Sequence, residues 1–350
     1  MQNFSLKILS SLILIALMSL LLTMEIQAQN GGFAGASSRI GYSARGMAMG
    51  NAMSAVTSEG AYAYYNPAQA ALFFTTQQSD FTVGALKFDR VFQSTGVQLQ
   101  LPPSAGISFS ILRTGVKDID GRTLSGYPTN MFDASEYQVS GNFGIRLSEK
   151  LNGGVGVKFN IADYHPDLDN ATAFGIDVGL LYNINEHLNA AFSVKDLIAN
   201  YVWNTSELYS LSQARDVTNE FPTRIILGLA YQADSFTVSG DFEIQSYTSE
   251  TRDPGISIIG GTPTFTDSRP AVNTHSKQIR LGGSWLAHER LTLRGGWQLP
   301  DASNIDSWTM SSGFSIHLPF DVFSPSIDYA FVMEPNRISN MHIFSLRLNL

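Results

Sequence analysis

From about residue 77 onward the chain alternates apolar and polar residues with a period of two, the spacing of strands that show one face to an apolar medium. Phe174, Ile176, Val178, Leu180 and Tyr182 share one face, with Gly175, Asp177 and Gly179 on the other beside Leu181. Val155, Val157, Phe159 and Ile161 alternate with Gly156, Lys158 and Asn160, and Phe236, Val238, Phe242 and Ile244 with Thr237, Ser239, Asp241, Glu243 and Gln245. Tyr137, Val139, Phe143, Ile145 and Leu147 stand against Gln138, Ser140, Asn142, Arg146 and Ser148. The pattern predicts about 14 strands, over 77–87, 91–101, 104–113, 136–148, 152–162, 172–183, 188–197, 222–232, 236–246, 277–286, 290–299, 307–318, 325–333 and 341–350.

Alternation alone fits a soluble sandwich with its apolar face inward or a membrane barrel with that face outward. Strand length and loop pattern separate the two. Most segments are as long as a tilted membrane strand needs to be. Short connections at Pro102-Pro103, 149–151, 183–187, 233–235, 287–289 and 319–324 alternate with longer ones at 114–135, 163–171, 198–221, 247–276, 300–306 and 334–340. Only 88–90 breaks the rule. A barrel with tight turns on one side and long loops on the other explains this asymmetry. The expected fold is therefore all-β, a transmembrane antiparallel barrel of about 14 strands whose apolar face meets outer-membrane lipid. Trp203, Trp285, Trp297 and Trp308 fall near expected strand ends, as an interfacial girdle requires. The last residues, Phe344, Leu346, Leu348 and Leu350, keep the alternation to the C-terminus.

Composition agrees. Charged residues are 15% of the 350, hydrophobic residues 44%, and there are 30 Gly and 22 Phe. Cysteine is absent, which excludes a disulfide scaffold and a thiol nucleophile. The net charge of −8 argues against nucleic acid as a partner. No phosphate-binding, dinucleotide, zinc-protease or serine-hydrolase motif occurs, and the six His show no ligand spacing. No enzyme activity, metal or cofactor is expected. Ser315 and His317 share a strand face, and Asp118-Asp120 and Asp167-Asp169 are acidic loop pairs, but none completes a catalytic or calcium set. Arg146, Lys158, Asp177, Lys195, Asp241, Glu243, Arg280, Arg294, Asp328 and Arg347 would point into the lumen, where opposite charges pair and fix a hatch or line a wet path.

The N-terminus reads as a secretory signal peptide over 1–28: Lys7, an apolar run from Ile8 to Met24, and Ile26-Gln27-Ala28 at the cleavage site. A retained anchor is the alternative. Residues 29–76 are rich in Gly, Ala, Met and Ser and are expected to form a compact hatch in the lumen, because small residues allow close backbone approach and Met fills irregular gaps. The barrel would then span 77–350, in the outer membrane of a bacterial cell.

The run Ala44-Arg45-Gly46-Met47-Ala48-Met49-Gly50-Asn51-Ala52, then Ala55-Val56, then Tyr65-Asn66-Pro67-Ala68, resembles the N-terminal signature of the PorV/PorQ family, which is related in fold to the FadL transporters. The resemblance implies a hatch motif carried by Arg45, Gly46, Met47, Gly50, Asn66, Pro67 and Ala68 ahead of the barrel. It also implies a non-enzymatic role in type IX secretion, with secretion-system subunits or secreted cargo engaged by the long loops 198–221 and 247–276. The aromatic stretch from Asn200 to Tyr209 would suit such contact. The alternative is a FadL-like channel for hydrophobic small molecules. Its ligand would lie between the hatch and the outer half of the lumen, against Phe33, Met47, Met49, Met53 and Tyr62.

Overall fold

The computed structural model describes residues 34–60, 62–72, 77–123, 125–203, 217–250, 253–259, 262–268, 271–300, 307–318, 320, 324–335 and 339–349. The expected signal peptide and Phe33 lie outside the described residues.

The alternating segments become strands in chain order: β1 (Gln78–Ala85), β2 (Arg90–Leu101), β3 (Ala105–Arg122), β4 (Pro128–Arg146), β5 (Leu151–Asp163), β6 (Ala171–Asn183), β7 (Leu188–Leu197), β8 (Asn200–Trp203), β9 (Val217–Glu220), β10 (Thr223–Gln232), β11 (Phe236–Glu250), β12 (Asp253–Ile259), β13 (Thr262–Ser268), β14 (Ala271–His288), β15 (Leu291–Leu299), β16 (Thr309–His317), β17 (Ser326–Met333) and β18 (Asn340–Asn349). All except the β8–β9 and β12–β13 hairpins join one closed antiparallel barrel in the order β1-β18-β17-β16-β15-β14-β11-β10-β7-β6-β5-β4-β3-β2. The barrel closes where β18 runs back along β1, with Gln78 opposite Asn349 and Ala85 opposite His342.

Which face is exposed decides between sandwich and membrane barrel. Phe81 and Val83 are 50% and 53% exposed, while the intervening Asp80 and Thr82 are 5% and 3%. The inversion continues along the strands: Phe109, Val157, Phe174, Leu227 and Phe344 are exposed, and Ser108, Lys158, Asp177, Arg224 and Ser345 are buried. A soluble sandwich would do the opposite. An apolar outer surface around a closed hydrogen-bonded sheet suits hydrocarbon, because every ladder group finds a partner within the sheet. Tyr182, Tyr231, Phe236 and Trp285 are exposed at the short-turn end, where an aromatic girdle belongs.

Three expected loops carry strands, 198–221 holding β8 and β9. Residues 114–135 continue β3 and β4 into a longer hairpin, and 247–276 extends β11 and β14 and carries β12 and β13. Beyond the bilayer both faces meet water, so the period-two signal disappears although the ladder continues. Lys117, Asp118, Asp120 and Arg122 illustrate it: all are polar, and the ladder shifts register between Val116 and Ile119, where Asp118 takes φ 54°.

Candidate functional site

The segment 34–72 is built from small residues. It forms a turn at Ser37–Arg39, a helix at Ala44–Ala48 and a turn at Pro67–Ala71. Ser43 caps the helix by accepting from the Gly46 amide at 3.4 Å. Asn66 caps the last turn by accepting from the Ala68 amide at 3.0 Å, with Pro67 supplying the fixed φ of a first helical position. The helix packs against β15, β16, β17 and β18, and the turn Pro67–Ala71 against β2, β3, β4, β5 and β6, on the facing arc of the barrel.

Each arc holds the segment differently. On the helix side the anchor is charge. Arg45 Nε lies 3.0 Å from Asp328 Oδ2, its Nη2 donates to Ser326 Oγ at 2.6 Å, and its Nη1 donates to the Glu59 carbonyl at 3.2 Å. Glu59 Oε2 accepts from Arg294 Nε at 3.1 Å and Nη2 at 2.5 Å. Arg347 donates to the same Glu59 carbonyl at 2.6 Å, binds Asp80 Oδ1 at 2.9 Å and lies 4.6 Å from the centre of the Tyr62 ring. Burial alone would raise the Glu59 carboxyl; the guanidiniums of Arg294 and Arg45 overcome it and hold the group below the ordinary carboxylate value. Burial pushes the Tyr62 and Tyr64 phenols up to about 12, so both remain neutral.

On the turn side the anchor is shape. Gly106 lies opposite Gly144, Gly144 opposite Gly154, and Gly154 opposite Gly179, so one glycine row crosses β3, β4, β5 and β6 on the inner face. A methyl group on Gly106 or Gly144 would collide with the Ala70–Ala71 backbone, on Gly154 with Pro67 and Ala68, and on Gly179 with Asn66. Asn66 also donates to the Leu180 carbonyl at 3.0 Å and to the Ser54 carbonyl at 3.1 Å.

A second charge cluster lines β5, β6, β7, β10, β11 and β14. Lys158 Nζ is 2.7 Å from both Asp177 and Asp196, Arg224 is 2.6 Å from Asp196, and Glu243 binds Arg280. Lys195 donates to the Tyr64 carbonyl. By contrast, the inner faces of β2, β3 and β4 carry Ser94, Gln98, Ser108, Ser110, Gln138, Ser140 and Asn142. Glu136 is the acidic exception, at the long-loop end.

An open cavity of about 200 Å³ occupies that end, between the segment and β2, β3 and β4. Ile40 and Ser37 come from the segment; Leu86, Arg90, Val91, Val116, Ala134 and Tyr164 contribute most of the remaining wall, with Thr114 and Glu136 at one side. Ser37 Oγ donates to Glu136 Oε2 and the Tyr164 hydroxyl to Oε1.

The expected hatch residues meet the barrel as follows. Arg45 pairs with Asp328, Gly46 faces the Tyr65 ring, and the Gly50 amide donates to Ser311 Oγ at 3.2 Å. Gly50 has φ 61°, and its chain lies against backbone of Leu281 and Trp297. Met47, Met49 and Met53 are wholly buried in packed clusters with alanines, and Tyr62 lines a smaller cavity of about 20 Å³ with Tyr42 and Asp80. None of the four lines the 200 Å³ cavity. Sequence reasoning missed the residues that do, because they come from separate turns and strand ends.

Other expectations change. Tyr201 and Trp203 do not present a contact surface, and Trp203 joins no girdle. Both are buried with Phe221 on Ala162, Ala171, Ala173 and Ala199, because the β8–β9 hairpin folds onto a floor of small residues. The rest of the aromatic stretch, from Asn204 to Tyr209, lies outside the described residues, as do the side chains of 249–272. Of the expected lumen charges, Arg146 is exposed at the short-turn end and the others are buried. Ser315 binds Asp328, while His317 Nε2 lies 3.2 Å from Thr292, so the two share no hydrogen bond. Asp120 pairs with Arg122 at 2.6 Å. Among the described residues no group of three His, Asp or Glu is placed to hold a metal.

Comparison with known proteins follows the fold. The chain is similar to the Pseudomonas putida toluene transporter TodX, with a TM-score of 0.60 and 14% identity over 89% of this chain and 99% of that one. It is similar to a Pseudomonas aeruginosa FadL homologue, with a TM-score of 0.59 and 11% identity over 88% and 97%. The CymD monoaromatic hydrocarbon channel gives 0.58 and 12%, again over 88% and 97%. Identities this low establish a FadL-like barrel fold. The family described as "F plasmid transfer operon, TraF, protein" matches residues 145–242, less than half of the chain. No curated protein matches the sequence.

Proposed function

We propose that this chain is an outer-membrane channel for hydrophobic small molecules, with residues 34–72 acting as its plug. The observation that carries the reading is the apolar cavity at the long-loop end, walled on one side by the plug itself. A mouth lined by Ile40, Leu86, Val91 and Val116 takes apolar solutes from water by the hydrophobic effect. The buried networks then hold the plug against unselective leakage. A molecule travelling deeper meets Met47, Met49, Met53 and Tyr62 once the plug shifts. The FadL-like fold, shared with proteins named as toluene transporters and a hydrocarbon channel, supports the same reading.

The experiment is uptake. A strain lacking the chain should take up a labelled monoaromatic slowly and regain the rate on complementation, with hydrophilic solutes unaffected. Equal uptake with and without the chain contradicts the reading.

The second reading is a partner-binding barrel of the PorV/PorQ type in type IX secretion. The motif from Ala44 to Ala52 with Tyr65 to Ala68 favours it. It ranks second because Tyr201 and Trp203, the described aromatic residues of the expected contact loop, are buried. A strain that secretes cargo normally without the chain removes it.

A further inference from the structure

We infer that the mouth cavity selects small neutral molecules bearing a hydroxyl, of the size and kind of a substituted phenol, over both carboxylates and plain hydrocarbons. The inference rests on the channel reading and concerns the substrate class of that same site.

Size comes first. The cavity is about 200 Å³. An apolar cavity of about 150 Å³ takes benzene, so this one suits a benzene ring with one or two substituents and not a long acyl chain. Ile40, Leu86, Val91, Val116 and Ala134 offer the ring an apolar wall.

Charge excludes an acid. The acid on the wall is Glu136, at the side also lined by Thr114 and Tyr164. The cation on the wall, Arg90, is already committed: its Nη2 lies 2.6 Å from Glu334 Oε1 and its Nε donates to the Lys87 carbonyl at 2.9 Å. Burial pushes the Glu136 carboxyl up to about 7, so the group is an anion only above that pH. Above about pH 7 a ligand carboxylate would therefore face a like charge, while the cation on the wall is paired with Glu334.

Hydrogen bonding favours a hydroxyl. Ser37 and Tyr164 each donate to one Glu136 oxygen. Each carboxylate oxygen has a further lone pair, so Glu136 can accept a third hydroxyl from the cavity side. Above about pH 7, where Glu136 is ionised, such a bond to a charged acceptor at the edge of an apolar wall is among the stronger ones. A hydrocarbon fills the wall and leaves that acceptor unused.

The test is binding of p-cresol, toluene and p-toluate, which share a ring and methyl group, to the purified full chain in nanodiscs by calorimetry at a pH above 7 and below the ordinary phenol value of about 10, where Glu136 is ionised and p-cresol is neutral. Wild type should bind p-cresol roughly tenfold or more tighter than toluene, with p-toluate weakest. Glu136→Leu should lower p-cresol to the toluene affinity and leave toluene unchanged. Glu136→Gln keeps an acceptor oxygen and should retain part of the p-cresol preference while admitting p-toluate. Heat-modifiable mobility reports folding of both variants. Toluene equal to or tighter than p-cresol in wild type, or p-toluate tightest, overturns the proposal, as does binding of none of the three. Cellular uptake of toluene measured alongside separates the two readings: retained uptake without a p-cresol preference sinks the hydroxyl selectivity alone, whereas absent uptake and absent binding sink the channel reading as well.

Discussion

The two ends of the buried N-terminal segment are fixed by different physics. The helix Ala44–Ala48 is held through the buried charges of Arg45 and Glu59, which pair with Asp328 and Arg294. The turn Pro67–Ala71 is held by the absence of side chains, on the row Gly106, Gly144, Gly154 and Gly179. An ionic latch is directional and can be re-formed after it opens. A glycine track is steric and demands that the backbone lie flat against the sheet. The contrast suggests a division of labour in which the helix end can move and the turn end stays seated, next to the start of β1.

Asp328→Ala should have the largest effect, because it leaves Arg45 buried without its carboxylate. The expected loss is about 3–5 kcal/mol in urea unfolding, and joint replacement of Arg45 and Asp328 by apolar residues should recover much of it. The same latch has a pH signature. The Glu59 carboxyl sits below its ordinary value in the folded state, so its contribution is complete above the unfolded value of about 4.3 and is lost as pH falls through the lower folded value. Protease accessibility of residues 44–59 should rise in acid below that range, and Glu59→Gln should abolish the acid step.

Gly154→Val comes next. Its side chain would collide with Pro67 and Ala68, and a loss of about 3 kcal/mol is expected, with the turn Pro67–Ala71 made accessible to protease and the helix end still latched. Asn66→Ala should cost about 2 kcal/mol, since it removes the cap and the bonds to the Ser54 and Leu180 carbonyls. Arg122→Ala breaks an exposed ion pair outside the lumen and should change stability by less than about 0.5 kcal/mol. Equal losses at Asp328 and Arg122 would erase the distinction between the lumen and the surface.

Much of the barrel was legible in the chain. Within the bilayer one face of each strand meets lipid and the other the lumen, and Phe174 to Tyr182 records that difference residue by residue. Outside it the signal fades, which is why the extended β3–β4 hairpin read as a loop. The hatch motif lies in the segment 34–72, and its contacts with the barrel depend on closure: Arg45 and Asp328 are 283 residues apart. The glycines were visible singly, while their alignment into a row exists only in the register. Met47, Met49 and Met53 suggested a ligand surface from their adaptability, and all three are buried in clusters with alanines. The mouth cavity was illegible, because Ile40, Leu86, Val116 and Glu136 belong to different elements and none stands out in its own stretch.

The most direct test of the central claim is monoaromatic uptake by cells carrying Val116→Trp, a change that fills the mouth cavity without touching either anchor. With folding verified by heat-modifiable mobility, uptake should fall to the level of cells lacking the chain. Uptake at the wild-type rate with the cavity filled would contradict the account.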